Sequence, residues 1–145
     1  MIQIASNDAD ENPFLLNVSG LGLTPLENWR LIYFGDPANA GPGADAADFD
    51  GDGVPNLVEF ALGFDPTQAH SGQLPQAQRV GGDLVLSFTA PTGLTGVTYS
   101  AEWSSTLQAG SWTTVSDTGT PPQHQFSVPI GAHPKLFLRL RVAAQ

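Results

Sequence analysis

Asp48, Asp50, Asp52, Asn56 and Glu59 stand at positions 1, 3, 5, 9 and 12 of the stretch Asp48-Phe49-Asp50-Gly51-Asp52-Gly53-Val54-Pro55-Asn56-Leu57-Val58-Glu59. All five carry side-chain oxygens, and that spacing lets a tightly coiled segment present them to one point. Position 6 must turn sharply, and Gly53 adopts a positive φ without steric cost. Position 7 is Val54, whose main-chain carbonyl is available whatever its side chain. This is the donor order of a twelve-residue calcium loop. The expected metal ligands are Asp48, Asp50, Asp52, the Val54 carbonyl, Asn56 directly or through water, and Glu59 through both oxygens. An all-oxygen set suits Ca2+ better than zinc or copper. Four carboxylates within twelve residues repel one another, so the cation is expected to fold the loop as well as occupy it.

Two departures from a standard EF-hand are legible. The first helix stops near Gly35, so residues 36–47 intervene before the loop instead of an abutting helix. Position 8 is Pro55, which has no N–H for pairing with a second hand. A solitary loop with only its exiting helix is expected, not a sensor that opens a groove. Asp45 and Asp65 flank the loop and are candidates for extra oxygens or a second cation. The favoured reading makes Asp45 a solvated turn residue and Asp65 the cap of the following turn. Asp8, Asp10 and Glu11 read as an exposed polar turn in preference to a cation site.

The elements around the loop follow from caps and periodicity. Residues 1–22 hold two apolar pieces, Ile2 to Ala5 and Phe14 to Val18, around a polar turn, which predicts two strands too short to stand alone. Residues 23–70 switch to helical spacing. Thr24-Pro25-Leu26-Glu27 is a capping box with proline at the first helical position, followed by Leu26, Trp29, Arg30 and Tyr33 at helical intervals. A second helix is predicted from Asn56 to Leu62, with Gly63 as its C-terminal cap. Residues 71–79 read as a polar linker. Residues 80–145 alternate with period two in runs such as Leu84/Leu86/Phe88, Val97/Tyr99/Ala101/Trp103, Phe126/Val128/Ile130 and Leu136/Leu138/Leu140/Val142. With Trp112 to Val115 they predict five strands of a small antiparallel β-sandwich. The fold class is mainly β with a small α insert.

Composition narrows the function. The 145 residues carry 14 acids against 5 bases, a formal charge of -9. Only Arg139 and Arg141 sit close together, so the clustered cations that nucleic acid requires are missing. An anionic bilayer would repel the chain, and no apolar run approaches the roughly 20 residues of a membrane span. Half of the acids lie between Asp36 and Asp65, a stretch without Lys or Arg. Residues 1–11 turn acidic where an export signal would be basic and then apolar. There is no cysteine, which excludes disulfides and thiolate chemistry. His70, His124 and His133 fall in separate stretches that read as surface loops, with no nucleophile elbow or helical His pair. No enzyme is expected.

The segment from Trp29 to Pro66, above all Asp48 to Glu59 followed by Gly63-Phe64-Asp65-Pro66, resembles the solitary calcium loops of dockerins and thrombospondin type 3 repeats. Ser6 to Phe14, continuing to Gly20-Leu21-Gly22, resembles the closing strands of immunoglobulin-like repeats. A dockerin carries a duplicated loop and helix, and this chain carries one. The resemblance implies a secreted or cell-surface setting, calcium held by the six positions above, and neighbouring domains of the same polypeptide as partners. The resulting expectation is a non-catalytic structural module whose calcium rigidifies a spacer between β-domains. The alternative is an adhesion module that binds a glycan or a surface protein on its β-domain, with Tyr99, Trp103 and Trp112 as the aromatic platform. Trp103 shares a face with Val97 and Tyr99, which favours a core position for it.

Overall fold

The period-two runs beyond residue 80 become strands because each has one face able to leave water. The computed structural model describes residues 2–4, 14–16, 20, 22–131 and 133–145. In chain order the elements are β1 (Ile2–Ile4), β2 (Phe14–Leu16), α1 (Pro25–Phe34), α2 (Asn56–Leu62), β3 (Gln78–Val80), β4 (Asp83–Thr89), β5 (Val97–Ser104), β6 (Thr113–Val115), β7 (Gln123–Pro129) and β8 (Phe137–Ala144). β1 and β2 pair antiparallel with Ile2 opposite Leu16 and Ile4 opposite Phe14. The turn expected between them, with Asp8, Asp10 and Glu11, lies outside the described residues.

Two three-stranded antiparallel sheets follow, ordered β3-β4-β7 and β6-β5-β8. In the first, Leu84 faces Val128 and Leu86 faces Phe126. In the second, Tyr99 faces Val142, Ala101 faces Leu140 and Val115, and Trp103 faces Leu138. The inward residues of both sheets meet in one core of Leu86, Ala101, Val115, Phe126 and Val128, with Tyr99, Trp103 and Leu140 packed against it. Chain order alternates between sheets, so each sheet needs the other to bury its apolar face. The chain is mainly β with a small helical insert, as its periodicity predicts.

Three details differ from the sequence expectations. β3 falls at the end of the stretch read as a linker, and all three of its residues are exposed, so it carries no period-two signal. Its partner is recruited by the tight turn at Gly81, where φ is +60°. Trp112 precedes β6, and its ring instead lies under the guanidinium of Arg139, 3.8 Å from the centroid. His124 is on β7, with its ring stacked on Phe88 at 5.0 Å and packed against Tyr99 at 4.6 Å, not in a surface loop.

The helical segment is docked on the sandwich. The Tyr99 hydroxyl donates to the Ala61 carbonyl of α2. Gly63, at φ +75°, ends α2 with Pro91 so near that a Cβ would sit 3.0 Å from its ring. Among the described residues no helix is long and apolar enough to cross a membrane.

Candidate metal centre

α1 starts at the Thr24 capping box. The Thr24 hydroxyl accepts from the Glu27 N–H at 3.2 Å, and the Glu27 carboxylate accepts from the Thr24 N–H at 2.8 Å. These bonds hold the Glu27 carboxyl below its ordinary pKa. The cap sets the helix phase, so Leu26 and Arg30, four residues apart, face inward. Trp29 packs on Phe60 of α2 at 5.7 Å and on Phe34 at 5.5 Å, and Phe34 packs on Phe49 of the acidic loop at 5.3 Å. An aromatic cluster therefore ties both helices to the loop.

The loop coils around its own carboxylates. Asp48 accepts from the N–H groups of Gly51, Asp52 and Gly53 at 2.9, 3.2 and 2.8 Å. Asp50 accepts from Asp52 at 3.0 Å, and Asp52 accepts from Val54 at 2.8 Å. Gly51 and Gly53 take φ of +77° and +90°, which is why both positions are glycine. One oxygen from each of Asp48, Asp50 and Asp52 lies within 4.8 Å of the other two. The three expected aspartates are thus brought together and could hold a metal ion.

Glu59 gives this cluster its chemical meaning. It lies on α2, is 0% exposed, and neither carboxylate oxygen has a hydrogen-bond partner. Burial first, then the charges of Asp50, Asp52, Asp48 and Asp65, push its carboxyl up from 4.5 to about 7. A carboxylate taken out of water without a partner is strongly unfavourable. Asp50 and Asn56 each present a further buried, unpartnered oxygen, Oδ2 and Oδ1. Among the described residues the group of converging carboxylate oxygens is Asp48, Asp50 and Asp52; Glu59 lies outside it, with its unpartnered oxygens under the influence of those three charges. Val54, the expected carbonyl donor, is 1% exposed.

The flanking acids divide differently. Asp65 accepts from the Thr67 N–H at 3.0 Å, the Thr67 hydroxyl at 2.7 Å and Gln68 at 3.1 Å. It caps that turn, and the Thr67 bonds lower its pKa. Asp45, expected to be solvated, is instead ion-paired with buried Arg30 and hydrogen-bonded to Asn39. Arg30 shares the inward stripe of α1 with Leu26, and a guanidinium there needs an acid within reach. That is the sequence signal for the pair. Nothing in the sequence indicates Asp52 as an acceptor from the N–H groups of His70 and Ser71. Burial alone would raise the Asp52 carboxyl, but these two N–H groups and that of Val54 hold it below its usual range.

Elsewhere, Trp103 packs on the sandwich core and the His133 ring lies 5.1 Å from it. His124 shares a hydrogen bond with Asp117, whose carboxylate also accepts from the Gln125 and Gly119 N–H groups. A cavity of about 550 Å³ opens beside Tyr99 and His124, and no residue of the acidic loop lines it. Comparison with protein-family models, curated proteins and solved structures returns no match.

Proposed function

We propose that residues 48–59 bind one calcium ion, with Asp48, Asp50, Asp52, the Val54 carbonyl, Asn56 and Glu59 as ligands. The ion has a structural role, holding the helical segment in the shape that docks on the sandwich, and the protein is non-catalytic. The observation that carries this reading is Glu59, buried with both oxygens unpartnered beside the three aspartates. An all-oxygen donor set with a Gly at the sharp turn favours calcium over softer metals. The resemblance of Asp48 to Pro66 to dockerin and thrombospondin type 3 loops supports the same ion. It also supports a secreted or cell-surface setting, with neighbouring domains of one polypeptide as partners.

Titration calorimetry of the full chain with calcium, paired with thermal melts in calcium and in chelator, tests the proposal. Extracellular calcium modules bind at roughly 10⁻⁴ to 10⁻³ M. At about 5 mM calcium, binding of that strength stabilises the fold by about 1 to 2 kcal/mol. Glu59→Gln should remove most of the binding heat and the calcium-dependent rise in midpoint. An unshifted midpoint in the parent, or full calcium binding by Glu59→Gln, would refute it.

A further inference from the structure

The acidic loop has no helix abutting its start, yet both of its ends are pinned. The Asn56 N–H donates to the Ala47 carbonyl at 2.8 Å and the Leu57 N–H to the Asp45 carbonyl at 3.1 Å. The Asn56 side-chain amide donates to the carbonyls of Pro42 at 2.8 Å and Ala44 at 3.0 Å. Both amide protons are committed, so only Oδ1 is left to face the loop. The strap that supplies those carbonyls is itself held through Asp45. One Asp45 oxygen takes the guanidinium of Arg30, which is 5% exposed, and the other accepts from Asn39 at 3.0 Å. The Asp45 N–H returns to the Asn39 side-chain oxygen at 2.8 Å.

We propose that Arg30, Asn39 and Asp45 are positioning residues of the cation site. They touch no ion, but they fix the strap that orients Asn56 and closes the loop, as an abutting entering helix does in a paired hand. The proposal rests on the reading of residues 48–59 as a calcium site. A cage whose ends are clamped holds a fixed cavity size, and cavity size with ligand flexibility decides between calcium and magnesium. Groups that orient metal ligands from behind typically contribute 10- to 100-fold in affinity.

The test uses the full chain with Arg30→Gln and Asn39→Ala, titrated with calcium and with magnesium at a temperature where circular dichroism shows each variant folded. Arg30→Gln removes one positive charge from a chain of formal charge -9, so electrostatics alone would tighten cation binding. Positioning gives the opposite sign. The expected result is calcium affinity weakened about tenfold in both variants, with a lower ratio of calcium to magnesium affinity. A purely structural role would lower the unfolding midpoint in chelator and leave that ratio unchanged. Tighter calcium binding by Arg30→Gln, or parental affinity and ratio in Asn39→Ala, overturns the proposal. If Arg30→Gln does not fold, Asn39→Ala decides alone, because Asn39 is exposed and its loss leaves the ion pair in place. Absence of calcium binding by the parent sinks the site itself and this inference with it. Parental binding with unaffected variants sinks only this inference.

Discussion

The sandwich and the helical segment solve the same problem in opposite ways. The sandwich buries Leu86, Ala101, Phe126 and Val128, and its buried hydroxyl, Ser104, is satisfied by Ser111 and by the N–H groups of Thr106 and Leu107. The helical segment buries Leu26, Val54, Phe60 and Ala61, but also Arg30, Asn56 and Glu59. Among the described residues, every buried side-chain polar atom without a partner lies between Arg30 and His70. An apolar core is complete as the chain folds it, because burial needs no partner of fixed charge. On the proposed reading, the core with converging carboxylates is completed by a cation that answers their charge.

The sharpest way to break this contrast is Phe126→Ala. Phe126 is 0% exposed at the middle of the sandwich, and truncation there costs about 3 to 5 kcal/mol. Urea denaturation should show the same loss in calcium and in chelator. A loss that depends on calcium would mean that the sandwich is not independently cored.

A smaller effect reads the helical segment by pH. In chelator, Glu59 ionises near 4.5 in the unfolded chain but only at about 7 in the folded one. The folded state therefore holds the extra proton between those values, and stability rises with proton uptake by the native state. The contribution is fully present below about pH 4.5 and is lost as pH rises through about 7. Denaturation midpoints of Glu59→Gln and the parent in chelator should diverge over that window, with the parent falling. Saturating calcium should suppress the divergence near pH 7, because binding selects the ionised form. Parallel pH profiles in chelator would show that Glu59 is not held out of water.

The smallest effect belongs to the sandwich surface. Glu102 accepts from Arg139 at 2.8 Å and from Arg141 at 3.3 Å across the β5–β8 pair, and both arginines are solvent-exposed. Exposed pairs contribute about 0 to 1 kcal/mol and weaken with salt. Arg141→Ala should move the denaturation midpoint by no more than that, equally with and without calcium. A larger or calcium-dependent shift would tie this face to the loop.

Much of the molecule was legible in the sequence because the relevant signals are local. The Thr24 to Glu27 capping box, Gly35 and Gly63 as left-handed caps, and the alternation through Leu84 to Phe88 and Val97 to Trp103 each act within a few residues. The convergence of Asp48, Asp50 and Asp52 is local in the same sense, since coiling around Gly51 and Gly53 suffices to bring them together. β3 was not legible, since three exposed residues owe their strand geometry to β4. The inward stripe of α1 signals that Arg30 needs an acid, but the choice of Asp45 was not legible, because it lies fifteen residues away.

The sequence by itself determined the mainly β class, the two helices and their ends, and the order of oxygen donors along the loop. Tertiary structure decided that Glu59 is sealed from water with both oxygens free, that Asp45 answers Arg30, that Tyr99 joins the sandwich to α2, and that Asp52 holds the backbone of His70 and Ser71. The physical reason is one of range. Caps, turns and periodicity act within a few residues of chain, whereas burial and charge pairing depend on which distant segment comes to rest beside a group.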